Sequence, residues 1–201
     1  MPRPTYSGYD LFLDEPNWIS ELTHKYDHPY ELIRFIGLEH SGSKELKTSF
    51  NVKGLWTFFT KAEIADMTAF FDSKRGRLNP FFLPSWQPDL RVTEAFTAFQ
   101  SYLIIEPCEY ADFWPVGLVG RDIIIVWPDQ SYVCKHIESA PNDHTVGFGS
   151  VIGKGCTEAD MPHLRVSFLY FVRFDLDVIE ADYCSPEIAD FDLAFQGLPL
   201  G

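Results

Sequence analysis

Hydrophobic and polar positions alternate most regularly toward the C-terminal end of the chain. In residues 173–178, Phe174, Leu176 and Val178 fall on one side and Arg173, Asp175 and Asp177 on the other, which is the period of two of a half-buried strand. Residues 190–195 repeat the pattern with Phe191, Leu193 and Phe195. The apolar runs at 122–127 and 166–174 also read as strands, and the unbroken Ile123-Ile124-Ile125 predicts a strand covered on both faces. Residues 89–96, 101–107 and 131–138 add three more, with a turn at Pro128-Asp129-Gln130 before the last. Aromatic and β-branched enrichment over residues 30–59 predicts further strands, with Gly42 at a loop tip.

One segment breaks this period. Thr60 has the hydroxyl to cap a first helical turn, and Glu63, three residues on, completes a capping box. Ile64, Met67, Thr68 and Phe71 then share one face, and Lys74, Arg75 and Gly76 supply a basic last turn and a glycine stop. The helix is predicted to end near Arg75.

Pro80, Pro84 and Pro88 deny regular ladder bonds to the next stretch, which also carries Phe81, Phe82 and Trp86; it reads as extended and anchored by its aromatics. Residues 1–29 lack periodicity and predict an arm or docking segment with at most a short helical turn after Pro16. Residues 30–201 then form a single β-sandwich domain, mainly β, with one amphipathic helix packed on it and an inserted loop region at about 141–162, rich in Gly, Asn, Asp and Thr and holding one short strand within 145–152.

Composition narrows the function classes. Hydrophobic residues make up 46% of the 201, aromatics 16% and charged residues 22%, which excludes a disordered chain. A formal charge of −13 disfavours a sequence-independent grip on nucleic acid or anionic lipid. The opening residues have no apolar core of a leader and the longest apolar run falls short of a membrane span, so a non-secreted product without membrane insertion is expected. Cys108, Cys134, Cys156 and Cys184 are widely spaced without a Cys-x-x-Cys pair and predict free, mostly buried thiols.

The motifs that carry chemistry are weak. The glycine-rich run 147–155 has Phe148 and Gly155 where a phosphate loop needs glycine and Ser or Thr, and Ile152 where a dinucleotide fingerprint needs glycine. Ser150 lacks the flanking glycines of a nucleophile elbow. His24 and His28 have helical metal spacing, but Pro29 disfavours a helix there and no third ligand follows nearby. Asp175 and Asp177, with Glu180 and Asp182 behind them, read as solvated strand-face acids. No catalytic residue, metal or cofactor is expected, and the chain is read as not an enzyme. Two rival readings keep specific residues in view: a hydrolase using Glu106, Glu109 or Asp112 near Trp114, and a carbohydrate-stacking platform of Tyr110, Phe113, Trp114 and Trp127.

The stretch 70–77 ending in Lys74-Arg75-Gly76-Arg77, followed by Pro80-Phe81-Phe82-Leu83-Pro84-Ser85-Trp86, resembles the helix-to-strand signature of distal tail proteins of long-tailed phages and gene transfer agents. The order of Arg173-Phe174-Asp175-Leu176-Asp177 and a final alternating strand is similar too, so the resemblance spans roughly residues 45–200. It implies a β-sandwich of the tail-tube-related type whose copies close a ring, of six in that family, between the tail tube protein and the tip hub or baseplate. Tape measure protein and fibres are further implied neighbours, DNA is in transient passage, and the location is the virion tail after assembly in the host bacterial cytoplasm. A tail terminator, connector or fibre adaptor would share this composition.

A closed ring requires two different patches on each copy. The expected joint is the basic island Lys74, Arg75, Gly76 and Arg77, pairing with a neighbouring subunit's carboxylates, together with the aromatics Phe81, Phe82 and Trp86. Asp175 and Asp177 are the expected channel-lining acids, since like charge keeps DNA from sticking.

Overall fold

The computed structural model describes residues 3–27, 30–35, 38–43, 49–108 and 121–198. In chain order the strands are β1 (Thr5–Tyr6), β2 (Tyr9–Asp10), β3 (Thr23–Asp27), β4 (Tyr30–Phe35), β5 (Leu38–Ser43) and β6 (Ser49–Phe58), before the helix α1 (Lys61–Lys74). After it come β7 (Phe81–Pro84), β8 (Tyr102–Ile104), β9 (Asp122–Val126), β10 (Tyr132–Asn142) and β11 (Thr145–Phe148). A 3-10 turn at Met161–His163 precedes β12 (Arg165–Phe174), β13 (Ala181–Tyr183) and β14 (Ala189–Gly197). The protein is mainly β with one α-helix among the described residues, as its patterning predicts.

The chain forms two compact units, one of Met1–Phe82 with Phe171–Gly201 and one of Leu83–Tyr170. In the first, β6 pairs antiparallel with β3 on one side and with β14 on the other, and β14 in turn pairs with β13 and with Val172–Phe174 of β12. Inward residues of β14 are those the alternation names: Phe191, Leu193 and Phe195 are buried, opposite Trp56, Gly54 and Val52. β4 and β5 form a separate hairpin in which Gly42 pairs with Glu31, so it lies within the strand and not at the predicted tip.

The helix follows its sequence signals closely. Thr60 Oγ1 accepts from the Glu63 amide, and the Glu63 carboxylate accepts from the amides of Phe59 and Thr60. At the other end Arg75 (φ 52°) and Gly76 (φ 58°) both turn left-handed. The buried stripe is Ile64, Met67, Phe70, Phe71 and Lys74. Thr68, expected on that stripe, is exposed and returns its hydroxyl to the Ile64 carbonyl. A Cβ at Gly76 would stand 3.0 Å from the Leu176 carbonyl oxygen, a rigid backbone neighbour. Gly76→Ala is therefore expected to lower stability by about 1–2 kcal/mol, measured as the shift of the urea midpoint.

Helix and sheet meet in an aromatic core. Phe174 sits 5.0 Å from Phe71, 4.9 Å from Phe81 and 5.3 Å from Phe195, centroid to centroid. Phe12, fully buried, adds a ring 5.5 Å from Phe70 and 5.7 Å from Phe195. It arrives by a tight hairpin, β1 to β2, turned by Ser7 (φ 49°) and Gly8 (φ 83°). The first residues thus carry Leu11 and Phe12 into the core, where the sequence reads only an arm.

In the second unit β9 is central, bonded to β10 on one side and to Arg165–Leu169 of β12 on the other; β11 continues from β10, and β8 from β11. Ile123 and Ile125 join a core with Leu103, Ile137, Val146 and Val166, while Ile124 on the opposite face is also buried, as the apolar run predicts. One predicted strand differs. Residues 89–96 form no strand but make isolated bridges, Val92 to Ile105 and Phe96 to Cys156, because their backbone bonds go to separate partners at 104, 106, 156 and 166. The 141–162 region holds the end of β10, then the short strand predicted within 145–152, which is β11, and then a loop that buries Ile152 and Cys156. All four cysteines are free; Cys156 is buried, Cys108 and Cys134 are half-buried and Cys184 is exposed.

The strand predicted to run through residue 178 ends at Phe174. The Asp175 amide still bonds the Ala194 carbonyl, but beyond it the chain leaves the ladder and Val178 is exposed.

Candidate functional site

The predicted joint residues cluster where α1 gives way to β7. Lys74 is buried, its Nζ 2.5 Å from Asp10 Oδ2 and 5.3 Å from the Phe70 ring centroid. Beside it Arg3 bridges Asp14 (2.6 Å) and Asp66 (3.2 Å) with its guanidinium 4.4 Å over Phe70. These two cations pin the N-terminal hairpin to the helix. Sequence reasoning missed Arg3 and Asp10, because a basic residue among prolines gives no sign of its partner.

Arg77 reaches back across the chain. Its guanidinium lies 3.6 Å from both Asp175 Oδ1 and Asp177 Oδ1 and donates to the Asp175 carbonyl at 2.9 Å. Arg77 of the basic island and the proposed channel acids, assigned separately from the sequence, thus make one cluster at the surface. The expectation that the island pairs with a neighbour's carboxylates is corrected for Lys74 and Arg77, which pair within the chain. Arg75 serves as the left-handed cap. Asp175 and Asp177 remain solvent-facing, with Arg77 offsetting part of their charge.

The aromatics expected at the joint are placed differently. Phe81, Phe82 and Trp86 are 0%, 3% and 3% exposed, so their surface is taken by the chain's own cores and is not offered to a neighbour. The stretch is extended only over Phe81–Pro84, as β7; it then turns at Trp86 and returns to the surface at Gln87 and Pro88. Trp86 adopts φ 55°, unusual for a bulky residue, in a turn fixed by side chains. Ser85 Oγ accepts from the Gln87 amide and donates to the Asp89 carboxylate, which also accepts from the Phe168 amide at 2.7 Å. The Gln87 carbonyl accepts from Ser167 Oγ at 2.6 Å.

The residues of the rival readings come out as follows. Glu106 faces Arg91 at 3.6 Å on the surface; Glu109, Tyr110, Asp112, Phe113 and Trp114 lie outside the described residues. Trp127 is buried and donates to the Gly155 carbonyl. In the glycine-rich run, Lys154 is held by Asp129 (2.6 Å) and Ser131 Oγ (2.5 Å) and lies 5.2 Å over the Trp127 ring. The hydrogen bond from Lys154 holds the Asp129 carboxyl well below the usual carboxylate range. His24 is in β3 and His28 lies outside the described residues; among the described residues no group of three His, Cys, Asp or Glu is placed to hold a metal.

One constellation was not singled out from the sequence. His136 Nδ1 meets the buried Asp122 at 2.9 Å across the β9–β10 register, with Cys134 two residues before it on the same face. These are the residue types of a nucleophile, base and orienting acid. Burial, reinforced by the Asp122 charge, pushes the Cys134 thiol up to about 12, which disfavours the thiolate that such chemistry needs. The His136–Asp122 bond reads as a cross-strand tie.

No protein-family model matches the chain, and no curated protein matches it in sequence.

Proposed function

We propose that this chain is a structural protein of the phage tail tip, of the distal tail type. Its copies form a ring that joins the tail tube to the tip hub or baseplate and surrounds the DNA path. The observation that supports this most is that the signature segment behaves as a single built unit. A capped helix ends in the left-handed Arg75-Gly76 turn, Arg77 clamps residues 175–177, and the aromatic strand behind them runs into the core. Such a unit holds the exposed acids Asp175 and Asp177 at a fixed place on the surface, as a channel wall requires. The test is native mass spectrometry over a concentration range, with negative-stain imaging of the oligomers and of mixtures with a tail tube protein. A closed ring with a central hole, alone or templated by the tube, is the expected result. A strict monomer that ignores tube ends would overturn the reading.

A further inference from the structure

The solvent face of the first unit's sheet separates its charges by sign. The ladders fix four rows across it. Arg173, Gln196, Asn51 and Lys25 make the first, and Asp175, Ala194, Lys53 and Thr23 the second. Asp192 and Leu55 make the third, and Asp182, Asp190 and Thr57 the fourth. Arg173, Lys25 and Lys53 thus occupy the first two rows, and Asp192, Asp190 and Asp182 the last two. Two acids at the basic end are exceptions: Asp175, at the end of the second row, is paired by Arg77, and Asp27 lies one row beyond Lys25 on β3, opposite Ser49. Leu55 and Ala194, half-buried, lie between the two ends. The first and fourth rows are six residues apart along β6, about 20 Å at strand rise.

We propose that this face docks a second copy of the same chain through the same face, about a two-fold axis running across the strands between the second and third rows. That operation lays the first row of one copy over the fourth row of the other, so that Arg173 faces Asp182. It lays the second row over the third, so that Lys53 comes beside Asp192, with Leu55 and Ala194 of both copies at the centre. Each contact then occurs twice, as a self-complementary interface demands. Charge complementarity selects this occupant, because a partner of uniform sign would be repelled by one end of the face. The acid row is also pre-set: Thr57 donates to Asp190 at 2.6 Å and Asn17 to Thr57 at 2.9 Å. This contact uses one patch twice where a ring joint uses two different patches, and it covers Asp175, an acid that the ring reading lays along the DNA path, so it belongs to a state of the chain outside the ring.

Lys53 and Asp192 are both exposed and suit reversal without disturbing the core. The experiment is sedimentation of the full chain at about 50 mM and about 500 mM salt, a range over which exposed charge pairs lose most of their reach. Wild type is expected to form dimers at low salt that weaken about tenfold or more at high salt. Lys53→Glu and Asp192→Lys alone are each expected to weaken the dimer at least about tenfold, with unchanged circular dichroism confirming that both remain folded. An equimolar mixture of the two variants should dimerise again at low salt, because every reversed charge then meets its opposite. Wild type that stays monomeric at about 100 μM, variants that dimerise as wild type does, or a mixture that stays monomeric would each overturn the proposal.

Discussion

Replacing Phe174 by alanine is expected to cost about 3–5 kcal/mol of folding stability. The ring is fully buried and stands at the meeting point of three elements, with Phe70 and Phe71 from α1, Phe81 from β7 and Phe195 from β14 all within 6 Å between centroids. Truncation removes the transfer free energy of the ring and leaves a cavity walled by four other rings. Rigid aromatic walls collapse poorly, so the cavity term adds to the transfer term. Denaturant unfolding of wild type and Phe174→Ala measures it directly, and Phe174→Leu, which refills most of the volume, should recover more than half. A loss below about 1 kcal/mol would mean that these rings repack freely.

Asp89→Ala is the second large effect. Its carboxylate takes the Ser85 hydroxyl and the Phe168 amide, and Ser85 in turn holds the turn in which Trp86 sits left-handed. Removing it leaves two buried donors without their acceptor, each worth about 1–3 kcal/mol. The Trp86 conformation then loses its support as well, and the indole is expected to become partly solvated. Asp89→Asn keeps an acceptor oxygen and should lose clearly less. Tryptophan emission during unfolding reads both, and an unshifted midpoint in Asp89→Ala would show that packing alone holds the turn.

Local signals predicted local structure well. The capping box, the apolar spacing of α1 and its glycine stop lie within eighteen residues, and each was legible because the interactions close within a turn or two. The alternation of β14 was equally legible, since one face is core and the other solvent. Alternation continued past the true end of β12, and Val178 fitted the period while lying outside the core, because β12 leaves β14 after Phe174 and β13 takes the place beside the rest of that strand, which β12's own pattern does not record. Residues 89–96 had strand-like composition, but their bonds are shared among several distant segments. Leu11 and Phe12 belong to a run of three apolar residues between Asp10 and Asp14, too short for a pattern although both are fully buried.

For the candidate site the residues were legible and their grouping was not. Arg77 and Asp175 are 98 positions apart, and nothing in either neighbourhood indicates the other. Phe81, Phe82 and Trp86 stood out as anchors, which they are, but composition cannot distinguish an anchor in the chain's own core from one in a neighbour's. The segregated charges of the sheet face come from five separate strands and exist as a pattern only once the register is known.

The first unit leaves the chain at Phe82 and resumes at Phe171, with all of the second unit between. Thr57 and its partner Asp190 are 133 positions apart, so on the ribosome β6 emerges long before the strand that completes it. At ordinary elongation rates the delay is about ten seconds, far longer than the folding of a small domain takes. The intervening segment has time to fold first, while Val52, Trp56 and Phe58 wait with a strand edge open. Synthesis therefore passes through a stage in which one half is finished and the other is an exposed apolar template, and it is in that interval that nascent chains meet one another or a chaperone.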